Sequence, residues 1–193
     1  DHLYLHSFPT RRSSDLLRHV LIKNATQTGQ AMVVLVTNGR DFPRGEEFGA
    51  ALAKRVPELT SLVQNINTLK TNVILGPQTK VLWGEEAIID EVGGLRFRVS
   101  ATSFFQVNPL QTETLYDQAV ACAELKGHET VLDAYCGVGS LTLFLARKAR
   151  KVYGVEAVEA AIEDAGENAK LNGLTNVDFV VGEAEKVLPK LAA

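Results

Sequence analysis

The chain is short of cysteine, tryptophan and long apolar runs, and each shortage excludes something. Its only cysteines are Cys122 and Cys136, in 193 residues. Two are too few for a disulfide framework, and their separation is not a metal-binding Cys-x-x-Cys. No apolar run approaches the roughly 18 to 20 residues that a membrane span requires, and no charged-then-apolar leader opens the sequence. Neither sign of charge dominates, since the formal net charge is -3. Any nucleic-acid contact must therefore use a local patch, not the whole surface. The expectation is a cytoplasmic protein with no membrane partner and no metal site. What is present is a hydrophobic fraction of 46%, enough for a sizeable core in one large domain or two small ones.

Residues 1–16 read as foreign. Ser7-Phe-Pro-Thr-Arg-Arg-Ser-Ser-Asp-Leu16 has no helical or strand period. It resembles the in-frame translation of a common short-read sequencing adapter, TCT TTC CCT ACA CGA CGC TCT TCC GAT CT. The alternative is an ordinary N-terminal tail. On the adapter reading the segment is left out of fold reasoning, and the native sequence starts near Leu17. The excluded charges are Asp1, Arg11, Arg12 and Asp15, so the net charge stays -3.

From residue 17 to about 100 the pattern is that of a small, mostly antiparallel α+β region. His19–Lys23 and Ala31–Thr37 are β-rich runs around a turn. Arg44–Val56 has apolar Phe48, Ala51, Leu52 and Val56 at helical spacing. Leu59–Ile66 returns to strand character, and Asn72–Ile74 and Thr79–Trp83 flank the turn signal Gly76-Pro77. Ile88–Val92 and Leu95–Val99 flank Gly93-Gly94, the clearest hairpin.

Beyond Val99 the pattern becomes alternating strands and helices, which implies parallel strands with crossovers. Asn108 is a candidate N-cap, with Pro109 at the first helical position and Gln111 at the third. Leu115, Ala119 and Cys122 mark one face of that helix, which makes Cys122 a core residue. Thr130–Leu132 reads as a buried strand, Leu141–Ala149 as a helix and Val152–Val155 as a second buried strand. Val158, Ala161, Ile162, Ala165 and Ala169 stripe a further helix, which Asn172-Gly173 ends. Val177–Val181 is a third strand, and Leu188–Ala193 reads as another helix.

The chemistry centres on Asp133-Ala-Tyr-Cys-Gly-Val-Gly139, a strand followed by a tight glycine turn. Glu156 comes nineteen residues after Gly137, at the carboxyl end of the next strand. That is the layout of a nucleoside-cofactor site, in which the acid accepts the hydroxyls of a ribose. Thr142 stands where a pyrophosphate-binding fingerprint has its third glycine, so a nucleoside without phosphates suits the turn better. The bland readings are a plain strand-to-helix turn and a solvated acid. Cys136 lies within the turn and reads as a small packed side chain, not a nucleophile. His19 and His128 read as structural or solvated. Ser103-Phe-Phe-Gln-Val-Asn108 is open between two readings: a hydrophobic staple at a helix entry, or an aromatic stacking surface with Gln106 facing a cofactor.

Together these segments resemble the uracil-5-methyltransferase family acting on RNA. Ser103-Phe-Phe-Gln-Val-Asn-Pro109 and Asp133-Ala-Tyr-Cys-Gly-Val-Gly139 are similar to its two characteristic motifs, and Val152-Tyr-Gly-Val-Glu156 follows in register. Gln64-Asn-Ile-Asn67, Thr71-Asn-Val-Ile-Leu-Gly76 and Leu82-Trp-Gly84 resemble its bacterial 23S ribosomal-RNA branch. The resemblance implies an α/β fold: a Rossmann-like S-adenosylmethionine-dependent methyltransferase domain, with an incomplete parallel sheet over residues 101–193. An α+β RNA-side subdomain over 17–100 precedes it. The resemblance also implies S-adenosyl-L-methionine as cofactor, held by Gln106, Tyr135, Gly137 and Glu156, with Glu183 on the adenine side. The implied partner is RNA, 23S ribosomal RNA ahead of transfer RNA, and the implied state is a monomer.

The family's reaction adds a cysteine thiolate to uracil C6, which makes C5 nucleophilic toward the sulfonium methyl. A carboxylate base then removes the C5 proton from a base flipped out of its stack. In the family the nucleophile follows an Asp-Pro-Pro-Arg type motif, and no Asp-Pro or Pro-Pro occurs here. The catalytic residues are therefore expected beyond Ala193. The chain is expected to be a fragment inactive by itself, and an iron–sulfur cluster is possible only in a missing N-terminal part. Two other readings stand beside this one: a methyltransferase with a small-molecule or protein substrate, and a non-enzymatic module that binds cofactor or RNA.

Overall fold

The computed structural model describes residues 3–7, 16–70, 72–106 and 108–191. Two compact units result: Asp1–Asp90 with Ser100–Thr102, and Glu91–Val99 with Ser103–Ala193.

In the first unit, β1 (Leu3–Ser7), β2 (Leu17–Ala25), β3 (Gln30–Thr37), β4 (Leu59–Ile66) and β5 (Gln78–Gly84) form one sheet in that order. Helix α1 (Gly45–Ala53) connects β3 to β4, which lie parallel; the other pairs are antiparallel. Most of the segment read as foreign, residues 1–2 and 8–15, lies outside the described residues. Its described part, β1, pairs with β2, Leu3 opposite Lys23 and Ser7 opposite His19. An open strand edge offers unpaired backbone groups to any short extended segment, so this pairing needs no specific sequence.

The apolar face expected of α1 is not the one that packs. Phe48, Ala51 and Val56 are exposed, whereas Gly45 and Gly49 are buried. A Cβ on Gly49 would lie 2.2 Å from Cβ of Trp83, and one on Gly45 2.8 Å from Leu82. The side chains of β5 fill the space, and the helix lies against them through its bare backbone.

Strand β4 carries the fully buried polar side chains Ser61, Gln64 and Asn65, and Asn67 just beyond it is also buried. Nδ2 of Asn67 donates to the carbonyls of Val73 (2.8 Å) and Ile74 (2.9 Å). Asn65 donates to the Gly76 carbonyl (3.0 Å) and accepts from its N–H (2.7 Å). Backbone groups that a strand would place in a ladder are thus taken by side chains. This is why the stretch Asn72–Ile74, which leads into the Gly76-Pro77 turn, forms no strand.

β6 (Ala87–Val92) and β7 (Leu95–Ser100) form a two-stranded sheet. Gly93 and Gly94 join them with φ of 58° and 74°, the double left-handed geometry of a tight hairpin turn. The unit boundary falls inside β6, not after residue 100, because Val92, Leu95 and Phe97 belong to the core of the second unit together with Tyr116, Leu143 and Phe144.

The second unit continues with α2 (Pro109–Cys122), β8 (Thr130–Asp133), α3 (Ser140–Ala146), β9 (Lys151–Glu156), α4 (Glu159–Leu171), β10 (Val177–Val181) and α5 (Ala184–Leu191). Its sheet has the order β10-β9-β8, all parallel, with Val152 opposite both Val177 and Val131. Asn108 caps α2 by accepting from the Gln111 N–H at 3.2 Å. The buried face of α2 differs from the expected one. Thr112 and Tyr116 are inside, Leu115 is 61% exposed and Cys122 is exposed, so Cys122 is not a core residue. Tyr116 sets that orientation: its ring packs at 5.2 Å from Phe144 and its hydroxyl lies 2.8 Å from Ser140 Oγ. Strand β8 was expected to be buried, but as the last strand of the sheet it leaves Leu132 37% exposed. Central β9 fits expectation, with Val152 and Val155 fully buried. No helix among the described residues is long and apolar enough to cross a membrane.

Candidate functional site

The parallel strands of the second unit deliver Asp133, Glu156 and Val181 at their carboxyl ends, and the loops that follow build the site. In the loop after β8, Gly137 and Gly139 have φ of 54° and 80°, a region in which a side chain costs about 1–2 kcal/mol. The two glycines differ in surroundings. A Cβ on Gly139 would lie 3.1 Å from both Ala165 and the Phe179 ring, whereas one on Gly137 would meet nothing within 4 Å. Gly139 serves packing, and the space above Gly137 is open to a ligand.

Glu156 is held by amides from two loops. The Gly137 N–H donates to Oε2 at 3.2 Å and the Val158 N–H to Oε1 at 3.0 Å. A carboxylate has about four acceptor sites, so an oriented Glu156 retains capacity for two ribose hydroxyls. The turn itself is tied down by the Cys136 N–H on the Val155 carbonyl (3.0 Å) and the Gly139 N–H on the Cys136 carbonyl (2.9 Å).

Asp133 ends β8 and accepts from the Thr142 hydroxyl at 2.6 Å. Burial raises its pKa, opposed by hydrogen bonds from Thr142 and from the Tyr135 backbone. Thr142 is fully buried, which gives the departure from a third glycine a structural reason: the hydroxyl anchors the first strand to α3. Cys136 is buried, and its thiol is pushed up to about 12 by burial and by the charges of Asp133 and Glu156. A thiol in that state is not a nucleophile.

The charge around the loop selects among ligands. Residues 133–140 contain no cation. Glu183 and Glu185 follow β10, and the nearby Lys186 is paired with Glu183 at 2.7 Å. A pyrophosphate would meet carboxylates without counter-charge, whereas a ligand carrying a sulfonium and an amine would be attracted. The residues present therefore fit S-adenosylmethionine: Glu156 for the ribose, the open face of Gly137 for close approach, and an acidic rim for the positive centres.

Of the expected site residues, the structure joins Gly137 and Glu156 directly. Tyr135 stands 70% exposed after β8 and donates to Glu185 Oε1 at 2.7 Å. Glu183 lies exposed after β10. Gln106 is half-buried in the segment entering α2. The two aromatics before it take different roles. Phe105 packs on Phe97 with ring centroids 5.4 Å apart, and Phe104 is 74% exposed. Phe105 is thus a packing residue on the core of the second unit, and the free aromatic surface is that of Phe104. Sequence reasoning did not find Thr142 as the partner of Asp133, nor Glu185 as the partner of Tyr135. The only signal for the first was the polar residue at the third glycine place. Among the described residues no group of three or more His, Cys, Asp or Glu could hold a metal ion.

Comparison with known proteins adds to this geometry. Residues 125–193 match the family described as "Methyltransferase domain". An uncharacterized RNA methyltransferase of Halalkalibacterium halodurans is 51% identical over 187 residues, covering 97% of this chain and 41% of the relative. One from Listeria monocytogenes is 56% identical over 173 residues, covering 90% and 38%. The chain thus spans about two fifths of the length of these curated relatives. Among solved structures it is similar to the tRNA (uracil-54, C5)-methyltransferase of Pyrococcus abyssi in complex with S-adenosyl-L-homocysteine. The TM-score is 0.72 and the identity 27%, over 88% of this chain and 40% of that one. Trm5b of Pyrococcus abyssi, at 21% identity and a TM-score of 0.52, shares the fold alone. The fold is α/β, Rossmann-like, as in S-adenosylmethionine-dependent methyltransferases, and the chain is similar to bacterial RNA methyltransferases.

Proposed function

We propose that this chain carries the cofactor-binding part of an RNA uracil-5-methyltransferase that transfers a methyl group from S-adenosyl-L-methionine to uracil C5. The observation that carries the reading is the amide-oriented Glu156 beside the open Gly137, in an acidic rim that suits a sulfonium nucleoside. The similarity to a uracil-C5 tRNA methyltransferase over 88% of the chain supports it. In this reading Glu156 binds the ribose hydroxyls, Gln106 and Tyr135 line the cofactor, and Glu183 meets the adenine side. The cofactor supplies the electrophilic methyl. The first unit is the RNA-side subdomain and faces the substrate, the protein is a cytoplasmic monomer, and 23S ribosomal RNA is the favoured substrate ahead of transfer RNA.

The chain binds cofactor but does not methylate by itself. Cys136 is buried and protonated, and Cys122 is on α2, away in sequence from the glycine turn. Three measurements test the proposal. Calorimetry should show S-adenosylhomocysteine binding and no binding of NAD; the reverse order would refute the cofactor reading. Incubation of the 193-residue chain with labelled S-adenosylmethionine and RNA should give no transfer, and turnover would refute the inactivity. Deletion of the gene should remove 5-methyluridine from 23S ribosomal RNA. Loss from transfer RNA instead moves the substrate there, and loss from neither refutes the uracil-5 reading.

A further inference from the structure

Asn168 is fully buried on α4 and has both ends of its amide engaged. Its Nδ2 donates to the carbonyl of Val138, between the two glycines of the turn, at 2.9 Å. Its Oδ1 accepts from the Arg98 N–H of β7 at 2.6 Å. Only one orientation of the amide serves a carbonyl at one end and an N–H at the other, so the bonding is self-consistent. The same face of α4 reaches β7 at two further places. Asp164, one helical turn earlier, pairs with the Arg98 guanidinium. Asn172, one turn later, accepts from the Arg96 N–H at 2.8 Å and donates to its carbonyl at 2.7 Å. The side chains of α4 thus stand in for a neighbouring strand along β7. Of the two asparagines, Asn168 also grips the glycine turn and Asn172 does not.

We propose that Asn168 is a positioning residue for the cofactor site, which sets the peptide between Gly137 and Gly139 and couples it to β7, the strand that leads in sequence to Phe104–Gln106. The inference rests on the cofactor reading of this site. Holding the Val138 carbonyl toward α4 fixes the rotation of the Val138–Gly139 peptide. It thereby keeps the Gly137 amide on Glu156, whose orientation the ribose contact requires. Asn172 makes the matching bonds to β7 with no bond to the turn, and so separates stitching of the helix to the strand from control of the loop.

The test compares Asn168→Asp, Asn168→Ala and Asn172→Ala. The aspartate keeps the acceptor for Arg98 but faces the Val138 carbonyl with a carboxylate. A buried carboxylate is costly, so the alanine variant is measured beside it. Each protein is followed by melting temperature, by S-adenosylhomocysteine calorimetry, and by native-state hydrogen exchange of the Gly137 and Gly139 amides referred to the core amides of Val152 and Val155. Both Asn168 variants should speed exchange in the turn relative to the core and weaken S-adenosylhomocysteine binding by about ten-fold or more, the scale of one unsatisfied buried carbonyl. Asn172→Ala should leave both readings within about two-fold at a comparable loss of melting temperature. If all three variants change exchange and affinity in proportion to stability, the positioning role is refuted. If the unaltered chain does not bind S-adenosylhomocysteine, the cofactor reading fails, while the exchange ratio still decides whether Asn168 holds the turn.

Discussion

Replacing Thr142 by valine removes the hydroxyl that donates to the buried Asp133 carboxylate and also bonds the Cys136 thiol. The two side chains have nearly the same shape, and Thr142 is fully buried, so the substitution opens no cavity. It deprives Asp133 Oδ2 of a donor at 2.6 Å. A hydrogen bond to a charged group contributes about 1.5–3 kcal/mol, so a loss of about 2 kcal/mol is expected where Asp133 is ionised. Thr142 lies in the second unit, of about 100 residues, where about 4–8 °C accompany each kcal/mol, which makes the expected fall about 8–16 °C.

The pH dependence of that loss identifies its origin. Burial already raises the Asp133 pKa above its ordinary 3.8, so the folded protein binds this proton more tightly than the unfolded chain. The contribution of Asp133 to stability is therefore greatest below the ordinary value and declines as pH rises through the folded one. Thr142 is among the groups that hold the raised pKa down, so its removal extends the declining window upward. The difference in melting temperature between variant and parent should be full near pH 8 and shrink at a pH low enough to protonate Asp133. Thermal melts followed by circular dichroism across that range measure it. An equal difference at both ends would sink the argument, because the loss would then come from packing and not from the carboxylate.

Three further outcomes follow from the same geometry. Gly139→Ala should lower the melting temperature more than Gly137→Ala, since both strain a left-handed backbone but only the first drives a methyl against Ala165 and Phe179; equal shifts would contradict the open space assigned to Gly137. Iodoacetamide at pH 8 should label Cys122 alone in the folded chain and both cysteines after denaturation. With a pKa near 12, Cys136 has roughly one thiolate in ten thousand at that pH, and rapid double labelling of the folded chain would overturn its burial. Phe104→Ala should leave the melting temperature within about 1 °C, whereas Phe105→Ala should cost about 2 kcal/mol through its contact with Phe97. Equal losses would mean that the exposed ring also carries packing.

Several strands and turns of the second unit are legible in the sequence. Val177–Val181 forms β10 with the expected bounds, central β9 is buried as its apolar run implies, and Gly93-Gly94 makes the expected turn. Legibility fails where a large partner residue decides which face of a helix turns inward. Apolar periodicity in α1 and α2 points to Phe48 and Leu115, but Trp83 admits only glycines and Tyr116 anchors α2 by ring and hydroxyl together. The hold of Asn67 on the carbonyls of Val73 and Ile74 is likewise invisible in the sequence. The glycine turn and Glu156 can be read from spacing, because the chemistry of a nucleoside site demands those types at those places. The bond between Thr142 and Asp133, and the grip of Asn168 on Val138, depend on distances across the fold that no spacing in the chain encodes.

The buried asparagines at the end of β4 bear on how this part of the molecule can change over generations. Asn65 and Asn67 hold the segment from Val73 to Gln78 through its carbonyls and one amide, and so recognise its backbone and not its side chains. Gly76 is the exception, because a Cβ there would fall 1.9 Å from the Ile66 carbonyl oxygen. Beside that constrained position, the exposed residues at 72 and 73 can be exchanged while the path of the chain is kept. A surface supported in this way can diversify what it presents to a partner without renegotiating the fold beneath it.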